Sequence, residues 1–485
     1  MRIKPVFYIL GKVLLVLGMA MIAPLLVALY YGDDIGPFLY TVPITCVAAG
    51  ILLYCSREGR NIPLRQREGF LFVTLVWVMA AFFGALPYWF AQVFNNSFAD
   101  ALFESMSGFT TTGATSLMHI EDLPPGLLFW RALTHWLGGA GIVLLFVAFL
   151  RGRDGSGSGV QILNAEHSGG DLAEKLMPRV SDTAKALCLV YVGLTLAETL
   201  LLLLGGMDIF DAVTHTFGTV STGGFSTKND SIAYYNSAFI EWVIIAFMFL
   251  SSINLAFYYL LIARKKPRLF RDEEARTFAI ICVVATLLLT ASLSMRGFYA
   301  GQGLQHTIRE AAFQTVSVIS TTGYATANYG IWPPFSRYLL FLLMFVGGCI
   351  GSTASSIKVS RVIVVFKACR NELWGMAHPH MVKKLYFNKK IIGQNTVTHI
   401  LFYIIAFFAL TLTAALALTI SGINPSQALT ASLACISNVG PGLIDSVDYA
   451  DLNILAKCML IFNMLAGRLE IFTVAVLFLP SVWKK

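Results

Sequence analysis

Charge is scarce in this chain. Only 13% of its 485 residues are Asp, Glu, Lys or Arg, where a soluble domain carries about 25%. Hydrophobic residues make up 56%, and the mean hydropathy is +0.70. That balance argues against a soluble enzyme or binding domain and places the chain in a bilayer. Cysteine is sparse and unpatterned: Cys46, Cys55, Cys188, Cys282, Cys349, Cys369, Cys435 and Cys458 include no Cys-x-x-Cys pair. Most sit in apolar runs as small hydrophobes, which argues against a disulfide framework or a metal centre. No Lys/Arg run is interleaved with aromatics, so the net charge of +8 is not a nucleic-acid footprint. It reads as loop charge facing the cytoplasm. No Ser-His-Asp or paired-carboxylate arrangement is recognisable, which leaves a membrane-embedded enzyme without catalytic groups. Gly155-Ser156-Gly157-Ser158-Gly159 lacks the strand, lysine and helix start of a nucleotide loop and reads as a linker. His378-Pro379-His380 offers two histidines, too few for a metal site.

Long apolar runs are what the chain does have. A spanning helix needs about 20 mostly apolar residues. Ten spans are predicted, near 8–30, 37–55, 69–93, 126–150, 184–205, 237–263, 276–295, 335–365, 397–420 and 452–481. The first follows Arg2 and Lys4 as a signal peptide would. It is long, however, and no small-residue cleavage site precedes Tyr30-Tyr31-Gly32, so it is read as an uncleaved transmembrane helix.

Four segments between spans end in a shared signal: Thr110-Thr111-Thr112-Gly113-Ala114, Val220-Ser221-Thr222-Gly223-Gly224, Ser320-Thr321-Thr322-Gly323-Tyr324 and Ser437-Asn438-Val439-Gly440-Pro441. Gly113, Gly223, Gly323 and Gly440 are 110, 100 and 117 residues apart. A short helix candidate, too short to cross, precedes each. Such segments read as re-entrant, and non-helical backbone at membrane depth must line a shared polar cavity. Asn96-Ser97, Asp208 and Asn424-Pro425 are helix-start chemistry. Asp100, Asp211, Glu310 and Gln427 stand 12 or 13 residues before their glycines, in the first turn.

Lys and Arg set the orientation. Arg57, Arg60, Arg65 and Arg67, then Arg151, Arg153, Lys175, Arg179 and Lys185, lie in alternate connections. So do Arg264, Lys265, Lys266, Arg268, Arg271 and Arg276, and then Lys367, Arg370, Lys383, Lys384, Lys389 and Lys390. All fall on one side with both termini, and that side is read as the cytoplasm. Asp33, Asp34, Glu121, Asp122, Asp445, Asp448 and Asp451 fall outside, where an acidic vestibule would gather cations. The repeated unit is helix, half-helix with loop, helix, four times in one orientation after two additional helices. Repeats in parallel orientation share an axis along the membrane normal. A ring of backbone carbonyls on that axis can replace a cation's hydration shell, and glycine supplies the backbone angles this needs.

These motifs resemble the superfamily of K⁺ transporters that contains the Trk, Ktr and HKT proteins. The two added N-terminal helices make the chain most similar to the Trk membrane subunit (TrkH/TrkG). The resemblance covers essentially the whole chain. It implies an all-α polytopic membrane protein with four parallel helix–pore-loop–helix repeats around one central pore. The expected divisions are 1–60 for the two N-terminal helices, 61–152, 153–265 and 266–370 for pore repeats one to three, and 371–485 for the fourth. It implies K⁺ held at Thr111, Thr112, Gly113, Ser221, Thr222, Gly223, Thr321, Thr322, Gly323, Asn438, Val439 and Gly440. Members with serine at the first filter glycine tend to favour Na⁺; here all four are glycine. Asn438-Val439 and Pro441 make the fourth repeat the most divergent.

Ten small residues, Gly347 to Ser356, interrupt span eight. Close helix packing is one reading. The resemblance implies a broken helix and a gating loop beneath the filter, with Gly347, Gly348, Gly351, Ser352 and Thr353 in it. Small residues recur at Gly138-Gly139-Ala140-Gly141 and Ser251-Ser252-Ile253-Asn254. Arg468, in span ten, is costly at mid-membrane, about 2.5–3.5 kcal/mol on insertion scales. It either pairs with Glu470 or another acid, or sets a positive charge below the filter, where family members carry an arginine. Glu198, Glu241 and His135 are ion-path groups or buried hydrogen-bonded partners.

Similar proteins are homodimers of the bacterial inner membrane, multi-pass with both termini cytoplasmic. A cytosolic Trk-type nucleotide-binding regulatory subunit controls them. NAD(H) or ATP/ADP would thus act through that partner, with no cofactor on this chain; the basic loops 264–276 and 367–390 would dock it. Symport with H⁺ or Na⁺ stays open. The alternative is an ion-coupled secondary transporter of a small solute, which more often has inverted repeats.

Overall fold

The computed structural model describes residues 1–60, 62–141, 180–264, 271–378, 384–442 and 447–483. The 155–159 linker, Pro379, His380, Asp445 and the basic residues Arg151, Arg153, Lys175, Arg179, Lys265, Lys266, Arg268 and Lys383 lie outside them.

Helices α1 (Ile3–Ala20) and α2 (Ile22–Tyr31) form one span and pack with α3 (Gly36–Cys55). Repeat 1 is α4 (Gln66–Phe90), the pore helix α5 (Phe98–Phe109) and the inner helix α6 (Pro125–Gly139). Repeat 2 is α7 (Val180–Leu204), α8 (Ile209–Val220), α9 (Ala238–Ser251) and α10 (Leu255–Arg264). Repeat 3 is α11 (Glu273–Met295), α12 (Leu304–Ile319), α13 (Pro334–Leu343) and α14 (Val359–Ala377). Repeat 4 is α15 (Gln394–Ile420), α16 (Pro425–Ile436), α17 (Ile454–Arg468) and the short α18 (Phe472–Ala475). Exposed apolar side chains such as Leu196, Leu200 and Leu204 on α7, and Ile280, Val283 and Leu287 on α11, cover outer helix faces, as a lipid solvent permits.

The pore helices have 12, 12, 16 and 12 residues. At 1.5 Å per residue, a 12-residue helix reaches about 18 Å, well short of the roughly 30 Å hydrocarbon core. Ser97 caps α5 by accepting from Asp100 N, and Asp208 caps α8 by accepting from Phe210 N at 3.0 Å. Asn424 starts α16 through Pro425 at its first position, without a side-chain cap bond. Gly303 precedes α12.

Two inner segments differ from the continuous spans expected from the sequence, and a third, span eight, is broken as the resemblance implies. The spans near 237–263 and 452–481 are bent pairs, at 92° and 111°. Span eight is two helices, ending at Leu343 and restarting at Val359. Local chemistry explains each turn. Asn254 Oδ1 accepts from Ala256 N at 2.9 Å, starting a new helix. Glu470 and Ile471 both take φ of 55°, a left-handed conformation that a β-branched residue rarely adopts.

A hairpin of β1 (Leu385–Phe387) and β2 (Lys390–Ile392) joins α14 to α15, turning at Asn388 and Lys389 with positive φ. The division expected at 370/371 falls inside α14, which runs on to Ala377.

Candidate functional site

After each pore helix the chain follows one path. A residue enters the left-handed region: Thr111 (φ 52°), Thr222 (56°), Thr321 (60°) and Asn438 (55°). Two residues later a glycine does so: Gly113 (80°), Gly224 (81°), Gly323 (82°) and Gly440 (96°). Between them Thr112, Gly223, Thr322 and Val439 donate N–H to Ser107, Gly218, Ser317 and Ala434 carbonyls at 2.8–2.9 Å. The counterpart of Gly113 in repeat 2 is therefore Gly224, one residue beyond the expected Gly223. Gly223 occupies the place of Thr112. The second segment's core is thus Thr222-Gly223-Gly224, with Ser221 at the position of Thr110.

These glycines close a ring. A Cβ on Gly113 would lie 2.3 Å from the Gly223 oxygen, and one on Gly224 would lie 1.9 Å from that of Thr322. On Gly323 it would lie 2.1 Å from the Val439 oxygen, and on Gly440 2.4 Å from that of Thr112. The contacts pass from repeat 1 to 2, 3, 4 and back to 1. Only glycine fits such an approach at such a φ. Among the described residues, the Thr112, Thr322 and Val439 oxygens accept no hydrogen bond, and that of Gly223 has only the His135 ring as a polar neighbour. Paired carbonyls are the rule in protein interiors, so the ring holds four acceptors with capacity to spare. The hydroxyls of Thr112 and Thr322 turn back to Thr110 and Ser320, each at 2.7 Å.

In repeats 1 to 3 the pore helix braces the segment that follows its glycine. Glu104 accepts from Thr115 Oγ1 at 3.0 Å and from Ser116 N at 3.2 Å. His215 Nε2 meets Ser226 Oγ at 2.9 Å. Thr326 Oγ1 donates to Glu310 at 2.6 Å, and Thr227 Oγ1 to Asp211 at 2.7 Å. Glu104 also pairs with Arg131 of α6 at 2.6 Å, both fully buried. Arg131 reaches into repeat 2, donating to the Ser226 carbonyl at 2.8 Å and standing 3.6 Å over the Phe225 ring. Sequence reasoning singled out His135, Glu198 and Glu241 but missed Glu104 and Arg131, although an ionisable residue at membrane depth is itself the signal. His135 stacks on Phe225 at 4.0 Å, and its Nδ1 donates to the Gly108 carbonyl at 2.7 Å. Glu241 meets Arg309 at 2.6 Å, and Glu198 is fully buried in α7. Of the outer acids, Asp33 accepts from Gly126 N, Asp34 from Gly36 N and Glu121 from Asn229 N, so these three serve local backbone as well as any vestibule.

Beneath the ring lies the loop between α13 and α14. Thr353 Oγ1 contacts the Val220 and Ser251 carbonyls at 3.1 and 3.2 Å. Ser355 N–H donates to Thr321 Oγ1 at 2.9 Å, directly under the ring. Cys349 N donates to the Ser252 carbonyl at 2.8 Å, and Leu255 N to that of Gly351 at 3.0 Å. The Gly347 and Ser355 backbones nearly touch: a Cβ on Gly347 would sit 1.9 Å from the Ser355 oxygen. Gly348 packs on Ser252, and Ser352 Oγ donates to the Cys349 carbonyl at 2.6 Å. Arg468 meets this loop from repeat 4, donating to the Thr353 carbonyl at 2.8 Å and to Ser355 Oγ at 3.3 Å. The same guanidinium reaches Thr111 Oγ1 at 3.2 Å and the Gly138 carbonyl at 2.7 Å. Glu470, a sequence candidate for pairing with it, is bonded to Arg361, which stacks over Tyr403 at 4.0 Å. Repeats 4 and 1 are also joined by Asn438 Nδ2 to Thr112 Oγ1 at 2.8 Å and by Lys457 to Asp100 at 2.5 Å.

A profile of the TrkH family, described as cation transport proteins, matches residues 39–485. The chain is 36% identical to the Trk system potassium uptake protein TrkH of Escherichia coli K12, over 100% of both chains. It is 33% identical to TrkG of the same organism, over 100% of this chain and 99% of the other. The crystal structure of the potassium transporter TrkH from Vibrio parahaemolyticus superposes with a TM-score of 0.91 at 33% identity, covering 100% of each chain.

Proposed function

Since this chain belongs to the TrkH family of cation transport proteins, we propose that it takes up K⁺ through the glycine ring, in a state closed by the 347–356 loop. The closed ring of four carbonyls, three of them without a hydrogen-bond donor, carries this reading. A cation leaving water needs oxygens in place of its hydration shell, and backbone carbonyls supply them without a fixed charge to trap it. The pore helices end at Phe109, Val220, Ile319 and Ile436, immediately before the ring. Their C-termini, each worth roughly half a negative charge, favour a cation there. Thr111, Thr112, Gly113, Thr222, Gly223, Gly224, Thr321, Thr322, Gly323, Asn438, Val439 and Gly440 form the filter. Gly347, Gly348, Gly351, Ser352, Thr353 and Arg468 close it from below.

The protein works as a multi-pass homodimer in the bacterial inner membrane, both termini cytoplasmic. A cytosolic nucleotide-binding subunit, carrying NAD(H) or ATP/ADP, regulates it through the basic segments 264–276 and 367–390, the second of which runs through the end of α14 into the β-hairpin. We place the divisions between pore repeats near 61, 153 and 266, and the last one past Ala377. Reconstitution into liposomes tests the whole reading: Rb⁺ uptake is expected, rising when the regulatory subunit and its nucleotide are added. Absence of cation flux under both conditions rejects it.

A further inference from the structure

Three consecutive acids, Asp272, Glu273 and Glu274, open α11, and they face two different structures. Asp272 and Glu273 hold the β-hairpin. Asp272 Oδ1 accepts from Asn388 Nδ2 at 2.7 Å, and Glu273 N donates to Asn388 Oδ1 at 2.9 Å. Glu273 also pairs with Lys367 of α14, whose Nζ donates to the Tyr386 carbonyl at 2.9 Å. Glu274 is 6% exposed and faces inward. Its Oε1 accepts from Ile350 N at 3.0 Å and from Ser360 N at 2.9 Å. Ile350 lies within the loop under the ring, and Ser360 lies in the first turn of α14, just after it. The Ser360 N–H is one of the donors a helix start leaves without an internal partner. One carboxylate oxygen thus ties the loop to the helix that follows it, and a buried N–H deprived of its acceptor is costly.

We propose that Glu274 is a positioning residue that clasps the 347–356 loop shut. Asp272 and Glu273, on the same helical turn, link the clasp to the hairpin, so displacing the hairpin frees the loop. This rests on the reading of that loop as the gate. Cys349, buried in the loop with a free thiol, reports on the clasp independently of flux. Cys435, buried in α16, reports on the fold as a whole.

The test measures N-ethylmaleimide labelling of each cysteine by peptide mass spectrometry, with Rb⁺ flux in parallel. It uses the full-length protein and the variants Glu274→Ala, Glu274→Gln and Asn388→Ala. Glu274→Ala is expected to raise Cys349 labelling about tenfold with Cys435 unchanged; Glu274→Gln, which keeps an acceptor, should raise it less, and Asn388→Ala a few-fold. If Cys435 labelling also rises in Glu274→Ala, the near-isosteric Glu274→Gln decides. Labelling of Cys349 at the wild-type rate in both Glu274 variants overturns the clasp. A wild-type rate in Asn388→Ala alone overturns the hairpin link. Faster labelling with unchanged flux leaves the clasp standing and overturns the loop as gate.

Discussion

Gly223 and Gly224 are neighbours with different requirements. Gly224 has φ of 81° and faces the Thr322 carbonyl, so any side chain there is strained by its own backbone. Gly223 is outside the left-handed region; the nearest atoms to a Cβ there belong to the His135 ring, at 2.5–2.8 Å. In repeats 1 and 3 a threonine fills the equivalent place. Gly223→Ala and Gly224→Ala are both expected to lower K⁺-over-Na⁺ selectivity in competition flux. Adding His135→Ala should restore it for Gly223→Ala and leave Gly224→Ala defective; rescue of both, or of neither, rejects the revised register. The Gly-Gly pair hid this register in the sequence, since either glycine satisfies the pattern. The discriminating mark was present in the pore helices: with Gly224, Asp211 stands 13 residues before its glycine, as Asp100, Glu310 and Gln427 do before theirs. Arg131 was harder to read, because its partners Glu104, Phe225 and Ser226 are distant in sequence and only the fold assembles them.

At the scale of elements, the inner helices are the informative ones. The pore helices were legible from their caps and length. The breaks in α9–α10 and α17–α18 were not, because long apolar runs flank each short polar stretch, and it is Asn254, Glu470 and Ile471 whose local geometry turns the chain. Gly138 and Gly467 let α6 and α17 touch the last residue of their own pore helices. A Cβ on either would sit 1.9 Å from the Phe109 or Ile436 carbonyl. This contact sets Arg468 beneath the ring. A unit charge about 5 Å from a cation, at an effective dielectric of about 20, opposes it by about 3 kcal/mol. Removing the guanidinium also frees Thr353 and Ser355 of the loop. Arg468→Ala is therefore expected to raise basal Rb⁺ flux tenfold or more in proteoliposomes; flux at or below the wild-type level in folded protein removes the arginine from the barrier.

In the whole molecule, the proposed filter makes one ion site shared by four repeats of one chain. A cation bound by all four carbonyls favours the folded ring, by about 2.7 kcal/mol when its concentration is 100 times the dissociation constant. Thermal unfolding in detergent should therefore occur several degrees higher in K⁺ or Rb⁺ than in Na⁺ at equal ionic strength. Equal midpoints in all three salts would argue against a K⁺-selective ring.

The ring is also made from an open strand of units. Peptide connections link repeat 1 to 2, 2 to 3 and 3 to 4, but none links 4 to 1. That junction carries side-chain contacts at three depths: Lys457 to Asp100, Asn438 to Thr112, and Arg468 to Thr111 and Gly138. All three donors come from the last repeat, and Asn438 belongs to the filter segment that departs most from its siblings. The divergence of the fourth repeat thus coincides with the one junction of the ring that no peptide connection makes. A nascent chain holds an unfinished arc until residues 438–468 emerge, and those residues bring the fastening with them.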